Sequence, residues 1–122
     1  MLLPVSVPSH CALLADAAEA LAERLAATPI SAPPIPVIHN VSVDTAADAN
    51  AIRELLARQL HSPVRWVETV QAIAERGIDI AIEAGPGKVL TGLGKRIDKR
   101  LQTLPVFDPA GLSAAIEATT DG

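Results

Sequence analysis

Residues 77 to 101 read GIDIAIEAGPGKVLTGLGKRIDKRL, and no other stretch of the chain restricts its fold as much. From Ile78 to Ala84 the residues are apolar on both alternating faces, apart from Asp79 and Glu83. A strand of that kind belongs in a sheet covered on both sides, which is where parallel strands occur. Gly85-Pro86-Gly87 breaks it, and Leu90, Leu93, Ile97 and Leu101 then recur at helical spacing, with lysines and arginines on the outer side.

The rest of the chain alternates in the same way. Leu2 to Val7 is a short extended run beside Pro4 and Pro8, and from Ala12 the spacing becomes helical, with Leu14, Ala18, Leu21 and Leu25 on one face. That helix is predicted to end near Thr28, because Pro29 biases the preceding residue away from helix. A proline-rich link, ISAPPIP, leads into VIHNVSV, whose β-branched residues suit a buried strand. Asp48 is placed to cap a second helix with Ile52, Leu55, Leu56 and Leu60 on its buried stripe, and Glu54 stands four residues before Arg58, the spacing of a helical ion pair. A third helix has Ser62 as cap, Pro63 in its first turn and Gly77 as its left-handed stop, with Trp66, Val70, Ile73 and Ala74 on the apolar side. The final ATTDG reads as a frayed tail. Strand, helix, strand, two helices, strand, helix is the order of an α/β fold.

Composition narrows the function. The 122 residues allow one domain with a real core, and 49% apolar residues with a formal charge of −4 describe a mildly acidic globular chain. Without a basic tract, and with Trp66 and Phe107 as the only aromatics, nucleic acid is excluded as an expected partner. A lone Cys11 excludes an internal disulfide and a cysteine-rich zinc site. MLLPVSVPSHC lacks the basic start and apolar length of a signal peptide, and no run approaches the ~20 residues of a membrane span. The expected compartment is the cytoplasm.

Three groups of residues invite chemistry. The glycine turn has the setting of a phosphate loop, but Ile82 stands where the first glycine should be and Val89 where Ser or Thr should follow Lys88. A plain strand-to-helix turn and a ligand-facing loop both remain open. His10, His39 and His61 share no metal-ligand spacing, so no metal site is expected. His10 stands where an extended run gives way to a helix, a favoured position for functional groups in α/β folds. Cys11 beside it reads either as a nucleophile next to a base or as a buried structural thiol.

VSVPSHCALL, RQLHSPVRWVETV and EAGPGKVLTGLGKRI, in this order and at these separations, resemble the C-terminal part of bacterial malonyl-CoA:acyl-carrier-protein transacylase. The resemblance runs from about Leu2 to Leu101. It implies the C-terminal portion of an α/β-hydrolase-like large domain, at 11–122, entered from the last strand of a small ferredoxin-like subdomain ending at 1–10. It implies transfer of malonyl from coenzyme A to the thiol of acyl carrier protein through a serine ester, in fatty acid biosynthesis. Malonyl-CoA and the phosphopantetheine of acyl carrier protein are substrates, and no cofactor is called for. His10 matches the histidine of the family's P-S-H motif, the general acid/base. Gln59 matches the glutamine of its R-Q-L motif, whose backbone carbonyl orients that histidine. Ser9, Gly85, Pro86 and Gly87 are placed along the cleft, while Arg58, Pro63 and Trp66 become scaffold around Gln59.

One departure stands out. No serine of the chain lies between glycines, so the nucleophile elbow is missing, together with the upstream arginine for the malonyl carboxylate and the oxyanion donors. The implied partners therefore include the missing N-terminal half of the enzyme, and no membrane. Two other readings remain: a non-catalytic module that binds acyl carrier protein, and half of a split acyltransferase with another extender specificity.

Overall fold

The computed structural model describes residues 8–120, so the extended run expected over 2–7 lies outside the described residues. The chain divides into two compact units, 1–69 and 70–122.

In the first unit a single 3-10 turn, Ala12–Leu14, leads into α1, Ala15–Ala26. Six of the twelve residues of α1 are alanine, the strongest helix former, and the helix closes as Thr28 N–H bonds the Leu25 carbonyl just before Pro29. VIHNVSV is not the continuous strand its composition predicts. Only Ile38–His39, β1, is extended there, pairing antiparallel with Asp44–Thr45, β2. Between them the His39 carbonyl accepts from both Ser42 N–H and Val43 N–H, a local turn that takes these groups out of any longer ladder. Val43 adopts φ 61°, strained for a β-branched residue.

Asp48 caps α2, Ala49–Leu60, as predicted: its Oδ1 accepts from Asn50 N–H and Ala51 N–H. Arg58 donates to the Val41 carbonyl at 3.3 Å, and no ion pair with Glu54 is found among the described residues. The third helix, α3, spans Trp66–Glu75 and starts later than the predicted Ser62 cap. Arg65 N–H is held by the Asn40 carbonyl, which keeps the approach non-helical, and the Arg65 carbonyl accepts the first helical bond from Thr69. Ala18 and Val41 form the buried apolar centre of this unit, with His39 and Thr69 buried beside hydrogen-bond partners of their own.

In the second unit Gly77, at φ 82°, ends α3 as expected, and β3 runs Ile80–Ala84. It pairs in parallel with β4, Gln102–Val106, in the register Ile82 with Leu104. Between them lies α4, Val89–Ile97. Leu101 belongs to no helix: α4 stops at Ile97, and Leu101 is buried at the approach to β4. β4 and the closing helix α5, Pro109–Thr120, are additions to the sequence reading, and α5 includes residues expected to fray. Val70, Ala74, Leu101 and Ala115 make the core, and Thr103 Oγ1 donates to the Thr91 carbonyl within it. The parallel strand pair and its helices establish a mixed α/β fold. Among the described residues no helix is long and apolar enough to cross a membrane.

Candidate active site

His10 enters α1 through an unusual backbone conformation. Its φ is 54°, in the left-handed region that non-glycine residues rarely occupy and that histidine tolerates better than most. The ring Nδ1 lies 2.9 Å from the backbone oxygen of Gln59, 49 residues away. A carbonyl can only accept, so Nδ1 carries the proton and donates it, which leaves Nε2 of the neutral ring with a free lone pair. The acceptor is available for a simple reason. Gln59 lies in the last turn of α2, where carbonyls lack intrahelical partners and carry the negative end of the helix dipole. The ring is exposed, as is Ser9 before it. Cys11 is a partly buried free thiol whose own carbonyl closes the 3-10 turn by accepting from Leu14 N–H.

The helix that presents Gln59 is tied by Arg53 to the end of α1 and by Arg58 to the Val41 carbonyl. Arg53 Nε donates to the Leu25 carbonyl at 2.8 Å, its Nη2 to the Thr28 carbonyl at 2.9 Å and its Nη1 to Asn50 Oδ1 at 3.1 Å. Arg65 reaches the Ser42 carbonyl and forms an exposed two-pronged pair with Glu68, whose carboxyl is held below its ordinary range by that guanidinium.

In the second unit the glycine turn is built around Glu83. Its Oε1 accepts from Leu90 N–H at 3.1 Å, and its Oε2 accepts from both the amide and the hydroxyl of Thr91 at 2.7 Å. These bonds, the Thr91 hydroxyl first, lower the Glu83 carboxyl from its ordinary value. Gly85 and Gly87 take φ of 148° and 155°, conformations open to glycine, and let the chain double back from β3 into α4. Two of the amides a phosphate would seek at the start of α4, those of Leu90 and Thr91, are thus already engaged by a carboxylate of the chain itself. Of the two open readings, this geometry suits a strand-to-helix turn. Glu83 was legible as a lone acid in an apolar strand, but its partners, seven and eight residues on, were not.

No family model matches the chain. The malonyl CoA-acyl carrier protein transacylase of Salmonella typhimurium is 54% identical over 114 residues, which cover 93% of this chain and 37% of that protein. An acyl-carrier-protein S-malonyltransferase from Burkholderia pseudomallei, known from its crystal structure, superposes with a TM-score of 0.89 at 50% identity over 94% of this chain and 38% of its own. Over more than nine-tenths of its length the chain matches the malonyl-CoA:acyl-carrier-protein transacylases. It corresponds to a C-terminal part of these acyltransferases of fatty acid biosynthesis and spans about 37% of the length of the relatives it matches. Another malonyl-transacylase, solved in complex with its type II acyl carrier protein, is 50% identical with a TM-score of 0.91 over 95% of this chain and 38% of its own.

Set against the transacylase family, the predicted residues fall into two groups. His10 and Gln59 are brought together in the first unit. Gly85, Pro86 and Gly87 form the turn of the second. Arg53, which the sequence reading passed over, holds α2 against α1, and an arginine in the second turn of an amphipathic helix carries no signal that distinguishes it from a solvated charge. Among the described residues no group of three or more His, Cys, Asp or Glu is arranged to hold a metal.

Proposed function

We propose that this chain supplies the acid/base half of a malonyl-CoA:acyl-carrier-protein S-malonyltransferase site, with His10 as the general acid/base and the Gln59 carbonyl as its orienter. The observation that carries the reading is the 2.9 Å bond from His10 Nδ1–H to Gln59 O. It holds one tautomer, with the lone pair on Nε2, and does so with a neutral acceptor in place of the carboxylate of a Ser-His-Asp triad. Nε2 takes the proton of a serine hydroxyl as its oxygen attacks the malonyl thioester carbonyl. When the C–S bond breaks, Nε2–H protonates the departing coenzyme A sulfur. The pantetheine thiol then loses its proton to Nε2 as its sulfur attacks the serine ester, and the serine oxygen recovers that proton on leaving. Each positive charge that develops on the ring faces the negative end of α2.

The serine, the arginine for the malonyl carboxylate and the oxyanion donors belong, in this reading, to the part of the transacylases that this chain does not span. Residues 1–10 then close a ferredoxin-like subdomain and 11–122 belong to the large domain. Ser9 and the Gly85-Pro86-Gly87 turn border the cleft and support its shape, acyl carrier protein is the acceptor partner, and the setting is cytoplasmic.

The test is malonyl transfer by the chain completed with the remaining part of a related transacylase. His10→Ala is expected to lower the rate by the ~10²–10⁴-fold credited to acid/base catalysis, and Cys11→Ala to leave it nearly unchanged. A silent His10→Ala, or an inactive Cys11→Ala, overturns the assignment.

A further inference from the structure

We propose that Arg53 is a positioning residue for His10: by clamping the far ends of α1 and α2 together, it sets the distance at which the histidine ring meets the Gln59 carbonyl. The inference rests on the acid/base reading for its catalytic consequence, but its geometry stands apart from that reading.

The two helices are joined at both ends by bonds from a side chain to the backbone. His10, just before α1, reaches Gln59 in the last turn of α2. Arg53, in the second turn of α2, reaches Leu25 and Thr28 at the end of α1. The helices therefore run antiparallel, with His10 at one end of the pair and Arg53 at the other. Six residues separate Arg53 from Gln59, about 9 Å along the axis.

Between the two ties the facing surface is shallow. Ala15, Ala18 and Ala22 of α1 and Glu54, Ala57 and Arg58 of α2 are among the residues that line the groove where the helices meet. Alanine methyls leave this groove partly unfilled, so the ties at the two ends bear on how the helices sit along their common axis. A displacement of ~1 Å directed along the 2.9 Å bond of His10 would take it beyond hydrogen-bond range. Arg53 opposes that displacement with a planar fork: two of its nitrogens hold two carbonyls of the α1 end, and a third is fixed to Asn50 one turn back on its own helix. A lysine ammonium, a point charge on a flexible stem, cannot hold both carbonyls in one plane.

The direct test is the tautomer of His10, read from the imidazole nitrogen resonances of the ¹⁵N-labelled 122-residue chain above the ordinary histidine range, with His10→Ala used for assignment. In the parent chain Nδ1 is expected to read as protonated and Nε2 as unprotonated. In Arg53→Met and Arg53→Lys both nitrogens are expected to move to the averaged values of a ring exchanging between tautomers, while Glu54→Gln keeps the parent spectrum. Should Arg53→Met lose its helical circular dichroism, Arg53→Lys, which keeps the charge and most of the stem, decides alone. A folded Arg53→Lys chain with the parent tautomer overturns the proposal. In the chain completed with the remaining part of a transacylase, both variants are expected to lower kcat, on the order of 10²-fold, with KM for malonyl-CoA unchanged. Full rescue of kcat by lysine also overturns it. If instead His10→Ala leaves transfer intact there, the acid/base reading falls, and the tautomer measurement still decides the role of Arg53.

Discussion

His10 and Val43 are the two non-glycine residues with positive φ among those described, and they differ in what holds them. His10 at φ 54° is held by a bond to an otherwise unsatisfied helix-end carbonyl, so its conformation is coupled to the placement of its ring. Val43 sits in the β1–β2 turn, where the left-handed region crowds its branched side chain against the backbone. The turn bond from its N–H to the His39 carbonyl offsets part of that strain. Val43→Gly is therefore expected to stabilise this turn by roughly 0.5–1 kcal/mol, the relief of left-handed strain less the entropy glycine adds to the unfolded chain. The measurement is hydrogen exchange at the Ser42 and residue-43 amides, which should slow about two- to five-fold; faster exchange would mean that the valine side chain packs better than its conformation costs.

At the scale of elements, α4 is secured from outside its own sequence. Lys88 at its N-cap makes no side-chain capping bond, and Glu83 of β3 does the capping across the glycine turn. Lower down, Gly94 faces Thr103 of β4 so closely that a Cβ would come within 2.6 Å of the threonine methyl, which explains a glycine inside a helix. The Glu83 bonds require the carboxylate form. Because the folded carboxyl lies below its ordinary value of 4.5, its stabilisation of α4 is complete above that value and is lost as pH falls through the lowered one. Protection of the Leu90 and Thr91 amides, corrected for intrinsic exchange, is expected to hold from neutrality to about pH 4.5 and then decline, and Glu83→Gln is expected to abolish that acid step. An unchanged step in Glu83→Gln would assign it to another acid.

The second unit exposes a set of large apolar side chains. In the second unit Ile78, Ile82, Val89, Leu93, Phe107, Leu112 and Ile116 are all 40% exposed or more. The β3–β4 register, with Gln102 N–H on the Asp79 carbonyl and Gly85 N–H on the Val106 carbonyl, directs the backbone groups of Ile80, Ile82 and Ala84 away from β4, toward an edge that pairs with no strand among the described residues. The outer edge of β4 carries Pro105, which has no N–H to offer a further strand. One edge is thus fit to receive a parallel neighbour and the other is blunted. The isolated chain is expected to self-associate, as seen by light scattering against concentration, and Ile82→Lys is expected to reduce that association. Incubated with radiolabelled malonyl-CoA and holo-acyl carrier protein, it is expected to transfer no label, since none of its serines sits on an elbow. A stable labelled monomer would reverse both expectations.

Local rules made much of this chain legible. The helical spacing of Leu14, Ala18, Leu21 and Leu25 marked α1, Asp48 marked the start of α2, Gly77 the end of α3, and the apolar run before the glycine turn marked β3. α5 carried local signals too, with Asp108 capping through Gly111 N–H and Pro109 in its first turn, but the sequence reading passed over them and took its end for a frayed tail. The turn inside VIHNVSV escaped because composition reports β-propensity and not which carbonyl captures which amide. The meeting of His10 with Gln59, the grip of Arg53 on α1 and the capping of α4 by Glu83 were beyond any local pattern. Periodicity reports which face of an element is apolar, whereas these bonds depend on where two elements end relative to each other, and that is set only when their faces pack.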